Sequence, residues 1–175
     1  RSRVAPYNPR HRKLFRHGAR PPRDFLMLVR KPIFPNVIEI NFQAGHVLGC
    51  NVYLVYDQNE WMLIDIGYED CVDEIVQLIR QLDFPLSQCK TIIATHADVD
   101  HVQGLARLKQ ALRTSVTAHP LAVDTLVKGD VIKTFSEISA QNIHLSMPVV
   151  NKVEHTVDEG DKIRVGSLEI EVWHT

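Results

Sequence analysis

The stretch Lys90-Thr91-Ile92-Ile93-Ala94-Thr95-His96-Ala97-Asp98-Val99-Asp100-His101 runs an apolar segment directly into two imidazoles and two carboxylates. Lys90 to Thr95 reads as a buried strand, because a short bounded apolar run suits a strand covered on both faces. Downstream, Val102, Leu105, Leu108 and Leu112 recur at helical spacing, so a helix follows. His96, Asp98, Asp100 and His101 therefore sit at a strand-to-helix junction. In the extended part, alternate side chains share a side, which lets His96 and Asp98 project together. The turn into the helix then aims Asp100 and His101 at a position beside the first. Neutral imidazole and carboxylate suit zinc, iron or manganese, so the cluster can hold one or two metal ions. The competing reading is a helix cap, worth about 1 kcal/mol. A cap needs a single acid and leaves the two flanking histidines unexplained. Two carboxylates also offset the partial positive charge of a helix N-terminus, which otherwise repels a cation.

Outward from this junction the pattern is that of an α/β chain. Ile38, Ile40 and Phe42 alternate with Glu39 and Asn41, and Val52, Leu54 and Tyr56 continue a period of two up to the turn-like Asp57-Gln58-Asn59. Trp61 to Gly67 is nearly unbroken apolar sequence, interrupted by Asp65 and closed by glycine. Val72, Ile75, Val76, Ile79 and Leu82 define a surface helix with Glu69 and Asp70 in its first turn and Pro85 beyond its end. Ser115 to Ala118 reads as a strand ending at His119-Pro120, and a helical stretch with Val131, Phe135 and Ile138 on one side is expected after it. Val153 to Val157, Lys162 to Val165 and Leu168 to Trp173 alternate around Asp158-Glu159-Gly160-Asp161 and Gly166, as a hairpin-rich sheet does.

Two of these segments resemble a known family. His96 to His101 is similar to the His-x-His-x-Asp-His motif of the metallo-β-lactamase superfamily, and Leu63-Ile64-Asp65-Ile66-Gly67 resembles the Asp-x-Gly strand end that precedes it. The resemblance runs from Phe34 to Thr175. It includes the opening strand Asn51-Val52-Tyr53-Leu54 and a closing Val172-Trp173-His174-Thr175 similar to the start of the family's His-Thr-Pro-Gly-His segment. It implies an αββα sandwich with metals at one edge. His96 and Asp98 would serve a first metal and Asp100 and His101 a second, with Asp100 also the catalytic carboxylate. Asp65 would accept hydrogen bonds that orient the ligands. The implied activity is metal-dependent hydrolysis, in which a metal-activated hydroxide attacks an ester, thioester, lactone or phosphoester of a small molecule. The implied cofactor is one or two metal ions, zinc first, with iron or manganese as alternatives.

Two departures from the family pattern shape the expectations. Asp98 replaces the motif's second histidine, which adds a negative charge and hardens the first position toward oxygen-loving metals. The flavodiiron branch uses a glutamate at that place, so an iron-containing oxidoreductase is the alternative reading. The chain also stops at Thr175, before the family's remaining ligands. Residues 32–175 are thus expected to be the N-terminal half of a domain truncated before its second half, whose C-terminal remainder is the natural partner. His119 is read as structural or pocket-lining and His46 as a loop residue, while His144, His155 and His174 have no partner motif.

Residues 1–31 stand apart. They hold ten of the 20 Lys and Arg and one acid, Asp24, so this segment is strongly basic while the rest of a chain of net charge −1 is acidic. Pro6, Pro9, Pro21 and Pro22 interrupt any helix there, and an extended arm is expected. The arm and the incomplete ligand set together suggest a third reading, a non-catalytic assembly subunit, and leave a homo-oligomer open. The 175 residues, 45% hydrophobic and 23% charged, have the composition of one globular domain. No run of about 18 apolar residues exists for a membrane span. Nucleic-acid binding is disfavoured, and nucleotide binding too, for want of a Gly-x-Gly-x-x-Gly or Gly-Lys-Ser run. Cys50, Cys71 and Cys89 have no metal-motif spacing and read as small buried hydrophobes in a reducing compartment, which makes the cytoplasm the expected location.

Overall fold

Trp61 and Leu63 point to one face of their strand and Met62 and Ile64 to the other, and both faces are covered, as the unbroken apolar run requires. The computed structural model of the protein describes residues 29–41, 50–138, 143–147 and 149–175. Most of the basic arm, and His46, lie outside these residues. Strands β1 (Val29–Phe34), β2 (Val37–Asn41), β3 (Asn51–Asp57) and β4 (Glu60–Ile64) form an antiparallel meander. β1 therefore opens three residues inside the stretch assigned to the arm. After helix α1 (Val72–Gln81) the chain returns as β5 (Cys89–Ala94), parallel to β4. It then forms the short helix α2 (Val99–Val102), helix α3 (Leu105–Leu112) and strand β6 (Ser115–Ala118). Helix α4 (Pro120–Lys128) is followed by the small pair β7 (Glu137–Ile138) and β8 (Ile143–His144). Strand β9 (His155–Thr156) completes a seven-stranded sheet of order β1-β2-β3-β4-β5-β6-β9, parallel from β4 onward.

One face of this sheet carries the helices. Val52, Leu54, Trp61, Leu63, Ile92 and Val116 share a buried core with Ile75 and Ile79 of α1, Leu105 and Leu108 of α3, and Leu126 of α4. Each such side chain removed from water contributes about 1.5–3 kcal/mol. The indole N–H of Trp61 donates to the Pro85 carbonyl at 2.8 Å, which satisfies the one polar atom of the largest core residue. On the opposite face Val55 and Met62 pack against a hairpin formed by β10 (Lys162–Val165) and β11 (Leu168–Glu171). The hairpin's turn is clipped to the turn between β3 and β4. The Asp57 carboxylate accepts the Ser167 N–H at 2.7 Å and its hydroxyl at 2.5 Å, and Glu60 accepts the Gly166 N–H at 2.9 Å. Gly166 is required there, because its φ is 57° and a Cβ would stand 2.8 Å from the Asp57 carbonyl oxygen.

The structure corrects two expected helices. The stretch carrying Val102, Leu105, Leu108 and Leu112 is two helices, broken at Gln103-Gly104. The Gly104 N–H donates to the Gly67 carbonyl at 2.9 Å instead of to the preceding helical turn. A Cβ at Gly104 would lie 2.9 Å from both the Tyr68 carbonyl oxygen and Val72 Cγ2, so the break depends on a backbone approach that only glycine permits. The helix after β6 lies earlier than expected. Pro120 opens α4 at its first position, and Gly129, in the left-handed region at φ 63°, ends it. Val131 to Phe135 then form turns, and Ile138 belongs to a strand.

Candidate metal centre

Because β4, β5, β6 and β9 run parallel, their C-terminal ends share one edge, and the segments that leave them bring Asp65, His96, His119 and Asp158 to that edge. Asp65 follows β4 in the left-handed region at φ 56°, a conformation that aspartate tolerates better than most residues. Its own N–H donates to the Ile93 carbonyl at 2.8 Å, and the next two N–H groups, of Ile66 and Gly67, donate to the His101 carbonyl at 2.9 and 3.1 Å. The end of β4 is thereby knitted to both β5 and α2. The buried Asp65 carboxylate faces three donors. Oδ1 accepts the Thr95 N–H at 2.9 Å, while Oδ2 accepts the Thr95 hydroxyl at 2.7 Å and lies 2.9 Å from His101 Nδ1. A carboxylate only accepts, so His101 Nδ1 carries the proton and, in the neutral ring, Nε2 keeps its lone pair.

The four motif residues come together in two pairs. His96 Nε2 lies 3.5 Å from Asp98 Oδ2, and His101 Nε2 lies 3.7 Å from Asp100 Oδ2. The two imidazole centroids are 4.0 Å apart. Asp98 occupies the N-cap position of α2 with extended ψ of 139°, yet its side chain makes no capping hydrogen bond. The capping alternative therefore does not account for this acid. The pairs differ in access: the His96 and Asp98 side chains are 44% and 39% exposed, against 24% and 16% for His101 and Asp100. One ligand atom from each of Asp65, His96 and His101 lies within 4.8 Å of the others. A loop braces the start of α2: the Thr134 carbonyl accepts the Val99 N–H at 2.8 Å, and the buried Thr134 and Ser136 hydroxyls bond each other at 2.9 Å.

The field at this edge is negative. Burial works against the charged form of His101, but the Asp65 hydrogen bond and the charges of Asp65, Asp100 and Asp98 outweigh it and raise the imidazole pKa. Burial, reinforced by the charges of Asp65 and Asp100, pushes the Cys50 thiol up to about 12. Cys50 is thus a protonated thiol at neutral pH in the metal-free protein. Burial and then the Asp100 charge raise the Tyr68 hydroxyl to about 12. An environment that resists further anions and favours cations is what a metal position needs.

Two features escaped the sequence reading. The first is Thr95, which in sequence is only the last residue of a strand but touches both Asp65 and His96; its hydroxyl lies 2.8 Å from His96 Nδ1. The second is a cluster of His119, Asp158 and His174, whose nearest ligand atoms also lie within 4.8 Å of one another. The parallel pairing of β6 with β9 brings His119 to Asp158, and backbone bonds between Val172 and both Gly160 and Asp161 bring in His174, none of which a local pattern announces. His119 Nδ1 accepts the Leu121 N–H at 3.2 Å as the cap of α4, so its proton sits on Nε2, which faces Asp158 Oδ1 at 3.3 Å. His174 stacks on the same ring at 4.4 Å. With both of its ring nitrogens committed, His119 caps a helix and offers no spare lone pair of its own.

Comparison with known proteins agrees with this architecture. The family model of the metallo-beta-lactamase superfamily matches residues 45–175, most of the chain, and the chain belongs to that superfamily. An uncharacterized protein of Aquifex aeolicus (strain VF5) is 27% identical over 128 residues, covering 73% of this chain and 54% of that protein. Among solved structures, BJP-1, a subclass B3 metallo-beta-lactamase of Bradyrhizobium japonicum, superposes with a TM-score of 0.65 at 22% identity, over 81% of this chain and 50% of its own. MIM-1 from Novosphingobium pentaromativorans gives 0.65 at 23% identity, over 80% and 48%. SMB-1 bound to 2-mercaptoethanesulfonate gives 0.67 at 24% identity, over 81% and 51%. The αββα sandwich class is therefore the fold, and the chain spans about half the length of these relatives. Among the described residues, no helix is long and apolar enough to cross a membrane.

Proposed function

We propose that the protein is a metal-dependent hydrolase acting on an ester, thioester, lactone or phosphoester of a small molecule. The observation that carries this reading is the pair of Nε2–carboxylate couples, at 3.5 and 3.7 Å, standing side by side on one sheet edge. The donor chemistry fits a metal: two adjacent imidazoles are each paired with a carboxylate, and the Asp98 side chain makes no hydrogen bond to its helix. His96 and Asp98 would hold one ion and Asp100 and His101 a second, with further ligands drawn from the remainder of the domain. Bound metal would supply Lewis acidity and make a water molecule nucleophilic near neutral pH. Asp65 orients His101 from behind through its Nδ1–H, and Asp100, the more sheltered acid, would serve as the carboxylate that takes a proton from water. Zinc is the first expectation. The added charge of Asp98 favours iron or manganese as the alternative, and iron would carry oxidoreductase chemistry.

The test is metal content by inductively coupled plasma mass spectrometry on the longest native polypeptide that contains this chain, purified without a metal-affinity step and paired with a hydrolysis panel. The panel spans the four ester classes and a β-lactam, the last because the solved relatives are named for it. Two zinc ions per chain with chelator-sensitive hydrolysis is the expected result. Protein that neither retains nor takes up metal would refute the proposal, and iron with no hydrolysis would replace it by the oxidoreductase reading.

A further inference from the structure

We propose that Thr95 is a positioning residue: its hydroxyl extends the hold of Asp65 from His101 to His96, so that one buried carboxylate oxygen sets the tautomer of both imidazoles. The inference deepens the metal-centre reading and rests on it for its purpose, though its geometry stands independently. The protons can be assigned one by one. Asp65 Oδ2 has two close neighbours, Thr95 Oγ1 at 2.7 Å and His101 Nδ1 at 2.9 Å. A carboxylate donates nothing, so both neighbours donate to it. The Thr95 hydroxyl has one proton and it is spent on Asp65. In the remaining 2.8 Å contact, with His96 Nδ1, the hydroxyl must therefore accept, and Nδ1 must carry the hydrogen. The chain of donation runs from His96 Nδ1 to Thr95 Oγ1 to Asp65 Oδ2, where it meets the donation from His101 Nδ1.

The consequence is that each ring, when neutral, presents an Nε2 lone pair. Those are the atoms facing Asp98 and Asp100. A second contact keeps the relay in register, since the Thr95 N–H donates to Asp65 Oδ1 at 2.9 Å and so clamps the residue by both carboxylate oxygens. Thr95 is itself exposed, so its hydroxyl contributes little to the core and can be removed without opening a cavity. Partners that orient metal-binding histidines typically matter about 10–100-fold in metal affinity.

The test uses metal-free protein and long-range proton–nitrogen correlation spectra, which report which nitrogen of each histidine carries the proton. In the wild type both His96 and His101 should be protonated on Nδ1. In Thr95→Val, His96 should lose that single tautomer while His101 keeps it, and Thr95→Ser should restore His96. Zinc affinity should fall about 10-fold in Thr95→Val and stay within about 2-fold in Thr95→Ser. Asp65→Asn gives a second route that does not depend on the valine variant folding, because asparagine accepts the left-handed φ of 56°. Its amide would donate where Oδ2 accepted, the Thr95 hydroxyl would turn to donate to His96 Nδ1, and both histidines should switch to the Nε2–H form together. An unchanged His96 tautomer in Thr95→Val overturns the relay, as does an Asp65→Asn protein in which His101 switches and His96 does not. Protein that binds no metal would defeat the hydrolase reading and leave these spectra able to decide the relay.

Discussion

His96 Nε2 stands 3.5 Å from Asp98 Oδ2 on the more open side of the site, where the superfamily motif has a second imidazole. A carboxylate here adds a negative charge to the position closest to solvent. Asp98→His should therefore move the bound metal toward zinc, raising the zinc-to-iron ratio by about tenfold. Metal analysis of the two proteins expressed side by side checks this, and equal ratios would mean that Asp98 does not select the metal.

Removing the Asp65 carboxylate should destabilise the fold as well as the site. Asp65→Ala strands the Thr95 N–H and the Nδ1–H of His101, and places a Cβ-bearing residue without a polar side chain at φ 56°. The expected loss is about 2–4 kcal/mol. Urea unfolding of the metal-free protein measures it directly, and a midpoint shift equivalent to less than about 1 kcal/mol would contradict the buried-acceptor role.

Gly104→Ala tests the close approach that splits α2 from α3. Its Cβ would meet a backbone oxygen and a core methyl at 2.9 Å, and the backbone oxygen cannot swing aside. About 1–3 kcal/mol of stability should be lost. Thermal or urea unfolding reads this out, and a neutral result would mean that the segment after Gly67 can retreat.

Glu154 should contribute an acid-dependent part of stability. Burial alone would raise its pKa, but the Lys109 ammonium at 2.8 Å and the Val116 N–H at 2.9 Å more than compensate and leave it below the ordinary 4.5. A carboxyl with a depressed folded pKa stabilises fully above its unfolded value and loses that contribution as pH falls through the folded one. Wild-type stability should thus drop below pH 4.5, and Glu154→Gln should drop less over the same interval. Denaturant midpoints at pH 7 and at a pH of about 3.5 compare the two, with a difference on the order of 1 kcal/mol expected. Identical acid limbs would remove Glu154 from the account.

What could be read from sequence followed local regularity. The apolar runs Trp61 to Ile64 and Thr91 to Ala94 announce central strands, and the spacing of His96, Asp98, Asp100 and His101 places them at one junction. The helix break at Gly104 was hidden because Val102, Leu105, Leu108 and Leu112 keep their period across it; the cause is a contact with Tyr68 and Val72, remote in sequence. Val131, Phe135 and Ile138 mimic a helical stripe, but Gly129 has already ended the helix. The roles of partners such as Thr95 depend on where a carboxylate thirty residues earlier comes to rest. That is set by the parallel register of β4 and β5, and no pattern within either segment encodes it.

The clip between the β3–β4 turn and the β10–β11 hairpin joins residues 106 to 110 positions apart. The meander from β1 to β4 closes short loops between neighbours, whereas this contact must wait until nearly the whole described chain has been threaded, and longer loops close at greater entropic cost. Hairpin docking is therefore expected late in assembly. Until it occurs, Val55 and Met62 have no cover from the hairpin, and an immature chain would present that apolar face to other chains.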